Sequence, residues 1–100
     1  MRNALTFVFI FELALSSQAA SFVRHVQPFL KQHCLKCHGT EKQKGRIRLD
    51  QLKEFNPSDG HLWTLVHEML SAGEMPPEDE ARPGKAAVQR LLGWIETEQA

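Results

Sequence analysis

Both cysteines of this chain lie within a span of four positions, and a histidine follows the second directly: Cys34-Leu-Lys-Cys37-His38. No other feature constrains the fold as tightly, because a chain of 100 residues supplies one domain at most. A disulfide between Cys34 and Cys37 would close a loop too short to stabilise a fold appreciably, since the entropy removed from the unfolded chain grows with loop length. The two thiols therefore serve a chemistry other than a structural crosslink.

The N-terminus makes the folding problem harder. Met1-Arg2-Asn3 is a short positive start, Ala4 to Leu15 is a mostly apolar run, and Ser16-Ser17-Gln18-Ala19-Ala20 supplies small residues at a signal peptidase's spacing. The apolar run falls short of the roughly 20 residues a membrane-spanning helix needs. Residues 1–20 are expected to be a cleaved signal peptide, and 21–100 the mature, exported domain, periplasmic in a bacterium. A mature chain of about 80 residues buries only about 60% of the surface its unfolded form exposes, so domains of this size usually need a cofactor, metal or crosslink. Charge adds little. The 12 basic and 12 acidic residues balance, and the leader removes one of each, Arg2 and Glu12. No overall field draws the chain to nucleic acid.

The mature part reads as three helical segments with irregular chain between them. Ser21 is placed to cap the first, where Phe22, Val26, Phe29 and Leu30 recur at helical spacing and Pro28 marks a restart or first turn. The alternation of Ile47 and Leu49 with Arg46, Arg48 and Asp50 is too short to define a strand. Asn56-Pro57-Ser58-Asp59-Gly60 is turn chemistry with a helix cap built in. A second helix is expected over 61–72, with Leu62, Leu65, Val66, Met69 and Leu70 on one face and Gly73 as its stop. Met75-Pro76-Pro77 cannot continue a helix. Pro83 is expected to open the last one, with Val88, Leu91, Leu92 and Ile95 as its stripe and Trp94 beside it.

Three chemistries could use the cysteine cluster: a metal site, a redox pair or an attached haem. A structural zinc site takes four ligands, usually as two pairs, and no second cysteine pair exists. His61 and His67 lie six apart, about 120° from facing one another on a helix. A thioredoxin-like redox pair belongs beside a βαβ pattern, which is missing. Cys-x-x-Cys-His is, by contrast, the attachment signature of c-type haem. Two sulfurs three positions apart share one side of a helical turn, so both can bond one edge of a porphyrin, with His38 held beneath the iron. A flat apolar macrocycle also supplies the core that so short a chain lacks.

The stretches "FVRHVQPFLKQHCLKCHG", "KQKGRIRLD", "LWTLVHEMLSAGEMPP" and "VQRLLGWIE" together resemble the planctomycete-type cytochrome c domain, one of the small single-haem c-type cytochromes. The resemblance spans about Phe22 to Glu96. It implies an all-α, cytochrome c-like fold of about three helices wrapped around one covalent haem, with long loops. It further implies thioethers from Cys34 and Cys37, His38 as proximal iron ligand, and Met75 as distal ligand. Domains of this kind usually open a longer chain with further modules, so a downstream redox enzyme module stands beside separate redox proteins as the expected partner.

Met75 stands out on its own terms too. Met69 belongs to an apolar helix stripe, whereas Met75 sits in a loop stiffened by two prolines, where a thioether has no packing role. His61 and His67 compete for the distal position but read better as ordinary helix residues. In the basic run Lys42, Lys44, Arg46 and Arg48, Arg48 is the candidate for a haem propionate, while Lys42 and Lys44 fit a solvated loop. Trp63 and Trp94 can donate an indole N–H to a propionate but are first large core residues. Glu78-Asp79-Glu80 reads as a solvated loop. The expectation is an exported mono-haem carrier of single electrons. Its rivals are a haem enzyme or gas or peroxide sensor with an accessible sixth position, or the N-terminal haem module of a larger enzyme.

Overall fold

The computed structural model describes residues 21–100; the expected leader, residues 1–20, lies outside them. Three α-helices, α1 (Gln27–His33), α2 (Gly60–Ser71) and α3 (Lys85–Gln99), are joined by long irregular segments and 3-10 turns at Lys44–Arg46 and Pro57–Asp59. Among the described residues the only β pairing is an isolated bridge between His38 and Gln43. The chain is all-α with long loops.

The first segment is wound in two ways. Phe22–Val26 is a π-helical turn, closed where the Gln27 N–H reaches back to the Phe22 carbonyl, and α1 continues from it without a break. Pro28 is the physical reason for the change. It has no N–H to give the preceding turn, yet its fixed φ suits the second position of a helix. Phe22, Val26, Phe29 and Leu30 still fall on one buried face. Ser21 does not cap this segment: its own backbone is helical and its side chain makes no capping bond.

At α2 the Asn56 side chain accepts from the Ser58 N–H at 3.0 Å and the Ser58 hydroxyl at 2.9 Å, which shapes the 3-10 turn leading into the helix. The other end closes in a Schellman arrangement. Gly73 takes φ 72°, its N–H donates to the Leu70 carbonyl at 3.2 Å, and the Glu74 N–H donates to Met69 at 3.0 Å. Helix α3 begins at Lys85, two residues after Pro83, because Gly84 stays extended and its carbonyl accepts the first helical bond from Val88.

Helices α2 and α3 pack antiparallel. His67 Nε2 lies 3.1 Å from Glu96 Oε2, and Gln99 Nε2 donates to the Gly60 carbonyl and the Thr64 hydroxyl at 2.9 Å each. The core sits where α3 meets α2 and the π-helical turn. Trp63, Phe22, Leu91, Ile95 and Val26 are its most deeply buried side chains. Trp94 meets Trp63 edge-on at 5.1 Å and also contacts Phe22 and Phe55. Burial of each such side chain contributes about 1.5–3 kcal/mol, so truncating Leu91 or Ile95 would undo the α2–α3 contact first. This core uses only one flank of α2. The other, with Leu65, Val66 and Met69, stays half-buried.

Candidate functional site

Helix α1 ends at His33, but the chain keeps turning. The Cys34 and Leu35 N–H groups both donate to the Leu30 carbonyl, at 2.9 and 3.0 Å. The Cys37 and His38 N–H groups then both donate to the Cys34 carbonyl, at 3.2 and 3.0 Å. Residues 34–38 thus make one further, irregular turn, which sets the two thiols on one side. Gly39 lets the chain leave that turn at close quarters. A Cβ there would lie 2.4 Å from the Leu35 carbonyl oxygen, so no other residue fits without a shift of the backbone.

His38 is held at both ends. Its carbonyl accepts the Leu49 N–H at 2.8 Å, and its ring nitrogen Nδ1 lies 3.3 Å from the Ile47 carbonyl. A carbonyl only accepts, so Nδ1 carries the proton and Nε2 is left with its lone pair free, as a metal ligand requires. The backbone partner fixes tautomer and ring direction together, the usual service of an outer-shell hydrogen bond.

The turn forms one wall of a cleft of about 230 Å³. Cys34, Cys37 and His38 line it on this side. The half-buried flank of α2 makes a second wall with Leu62, Leu65, Val66 and Met69, and Ile47 and Leu49 continue it. Met75, Pro76 and Pro77 line it as well, carried there by the Gly73 turn. Met75 is 39% exposed and therefore at the rim. Both cysteines are free thiols, and burial pushes the Cys34 thiol up to about 12. Among the described residues no three His, Cys, Asp or Glu side chains converge as a bound metal ion would demand.

These residues suit a covalently attached haem. The walls are apolar, the two thiols are adjacent on one wall, and one imidazole and one thioether are available to an iron. The donors are soft sulfur and neutral nitrogen, the set that haem iron takes in electron-transfer proteins.

The remaining candidates fall elsewhere. Arg48 does not line the cleft. Its guanidinium forms a double contact with Asp50, Nε to Oδ1 at 3.0 Å and Nη2 to Oδ2 at 2.7 Å, which holds the Asp50 carboxyl below its ordinary range. Ile47, with extended backbone, and Leu49 both line the cleft, while the residue between them does not, as alternating side chains require. Lys44 is on the rim, and Lys42 is exposed outside it. His61 is exposed, and His67 is engaged by Glu96 and Ser71. Among the described residues, neither indole N–H of Trp63 and Trp94 has a partner, though both are buried.

Three features of the cleft are not visible in the sequence. The Ile47 carbonyl is a backbone group with no signature. His33 lines the cleft and packs against Phe29 in a tilted arrangement, ring centroids 4.9 Å apart. Glu80, in a stretch that reads as solvated loop, is half-buried and joined to Lys36 at 2.8 Å across 44 positions of chain. The one available hint is the opposite charge of the two side chains.

Residues 34–79 match the family described as Planctomycete cytochrome C. No curated protein and no solved structure matches the chain.

Proposed function

We propose, because residues 34–79 match the family described as Planctomycete cytochrome C, that the chain is a haem-binding c-type cytochrome and an exported mono-haem carrier of single electrons. The observation that carries the reading is the division of donors in one apolar cleft, with Cys34, Cys37 and His38 from the turn after α1 and Met75 from the loop after α2.

Cys34 and Cys37 would hold the macrocycle through thioethers, which keep it in place in either redox state. When bound, the haem supplies a one-electron couple. His38 would present Nε2 to the iron, while its Nδ1 proton rests on the Ile47 carbonyl. Met75 would offer the iron a soft, neutral sulfur, a ligand type that favours the ferrous state and raises the potential. Leu65, Val66 and Met69 exclude water, which limits the solvent reorganisation that accompanies a change of charge. The leader over 1–20 directs the chain across the membrane and is removed. Among the described residues no helix is long and apolar enough to cross a membrane. The electron partners are other redox proteins or a redox enzyme module.

One observation favours a rival reading. A rim methionine 39% exposed is a ligand that a gas or peroxide can displace, as a sensor or enzyme would need. Two measurements on the purified holoprotein separate the readings. The carrier shows the weak near-infrared sulfur-to-iron charge-transfer band when oxidised, and its reduced form binds carbon monoxide slowly. Met75→Ala removes the band and opens the iron to carbon monoxide. A wild-type protein that takes up carbon monoxide at once, or whose spectrum is unchanged by Met75→Ala, is not a closed carrier.

A further inference from the structure

The loop that carries Met75 has an unusual balance of backbone groups. Met75, Pro76 and Pro77 bring three carbonyls but one N–H, because proline has none to give. That single N–H, on Met75, is spent on the Met69 carbonyl at 3.3 Å. The loop therefore cannot hold itself by backbone bonding and must draw donors from outside. Glu80 supplies one, its N–H reaching the Pro77 carbonyl at 3.0 Å. Arg82 supplies donors to both proline carbonyls. Its Nη2 donates to the carbonyls of both Pro76 and Pro77, the latter at 2.7 Å.

We propose that Arg82 is the positioning residue of the distal ligand, its guanidinium clamping the two proline carbonyls so that the Met75 sulfur is held against the haem face of the cleft. This rests on the reading of Met75 as the iron's distal ligand. One guanidinium nitrogen carries two N–H bonds, so a single charged group satisfies both carbonyls at once. Hydrogen bonds to a charged donor are also stronger than neutral ones. The other fastening on this loop, Lys36 to Glu80, has a Lys36 side chain 71% exposed and bears on Glu80, three residues beyond Pro77, whereas Arg82 bears on the prolines themselves. Arg82 touches neither sulfur nor iron. It acts through the chain direction at Pro76, the residue next to the ligand.

The test uses the holoprotein with Arg82→Gln and Arg82→Lys. The expected result for Arg82→Gln is a weakened near-infrared band and carbon monoxide association faster by roughly tenfold or more, the size expected for losing hydrogen bonds from a charged donor. Arg82→Lys should restore part of the effect, because an ammonium keeps the charge but not the fork. Gln99→Ala, which loosens α2 from α3 away from the cleft, serves as the control. It should lower the melting temperature without moving the band or the carbon monoxide rate. Hydrogen exchange over residues 73–80 gives a second readout that does not depend on iron ligation, and Arg82→Gln should raise it. If wild type lacks the band while exchange still rises in Arg82→Gln, Met75 ligation is wrong and the clamp stands as a loop clamp only. If exchange, band and carbon monoxide rate all match wild type in Arg82→Gln, or if Gln99→Ala shifts the band as much, the positioning role is overturned.

Discussion

The two walls of the cleft that carry donors are built on different principles. The turn after α1 is fastened by its own backbone: two N–H groups on Leu30, two on Cys34, and the His38 carbonyl on Leu49. The loop after α2 is fastened by a left-handed glycine, a guanidinium and an exposed ion pair. The first wall places three side chains within five residues, so local geometry is enough to hold them. The second brings one side chain from a proline-stiffened segment whose two proline carbonyls draw on the Arg82 guanidinium as well as on the Glu80 N–H. That difference in hydrogen-bond supply makes the attachment wall rigid and the ligand wall more adjustable.

The most drastic way to break the contrast lies on the attachment wall. Replacing both Cys34 and Cys37 by serine should abolish haem staining on a denaturing gel. The haem-free chain should then melt without a sharp cooperative transition, since the cleft flank of α2 has nothing left to cover it. A variant that still stains, or melts as wild type does, removes the basis for the comparison. Next in size is Gly39→Ala. The added carbon would meet the Leu35 carbonyl oxygen at 2.4 Å, so backbone has to move, at a cost of about 1–3 kcal/mol. Gly73→Ala is the matching change on the other wall. No atom lies within 4 Å of a Cβ there, so only the left-handed conformation resists, at about 1 kcal/mol. Urea unfolding of the two variants checks the order, and a larger loss at Gly73 would reverse the comparison.

The smallest effect concerns Asp50, beside the attachment wall. Arg48 holds its carboxyl below the ordinary range. Its contribution is thus fully present above the unfolded carboxylate range of about 4 and fades as pH falls through the lowered folded value. Asp50→Asn should flatten the acid limb of the stability curve below about pH 4 and leave the potential near wild type. An unchanged acid limb would show that the pair is solvated and contributes nothing.

Much of this molecule is decided by local sequence, and the physics says why. Cys34, Cys37 and His38 share a wall because a three-residue spacing on a helical turn leaves no other outcome. The stripes of α2 and α3 and the stop at Gly73 are likewise local properties, of periodicity and of a residue that accepts positive φ. Two local expectations failed where a neighbour had more influence. Ser21 gave up its cap because its own backbone is already helical ahead of the π-helical turn. Pro83 lost the helix start to Gly84, whose carbonyl accepts the first bond. Arg48 stands outside the cleft lining, paired with Asp50. Only the tertiary structure could decide the rest. The Ile47 carbonyl that sets the His38 tautomer, the Glu80 carboxylate on Lys36 and the Arg82 guanidinium on two proline carbonyls join a backbone group or a distant side chain to a site. Hydrogen-bond partners of that kind leave no spacing in the sequence, because they are chosen by where the folded chain brings donors to acceptors that lack them.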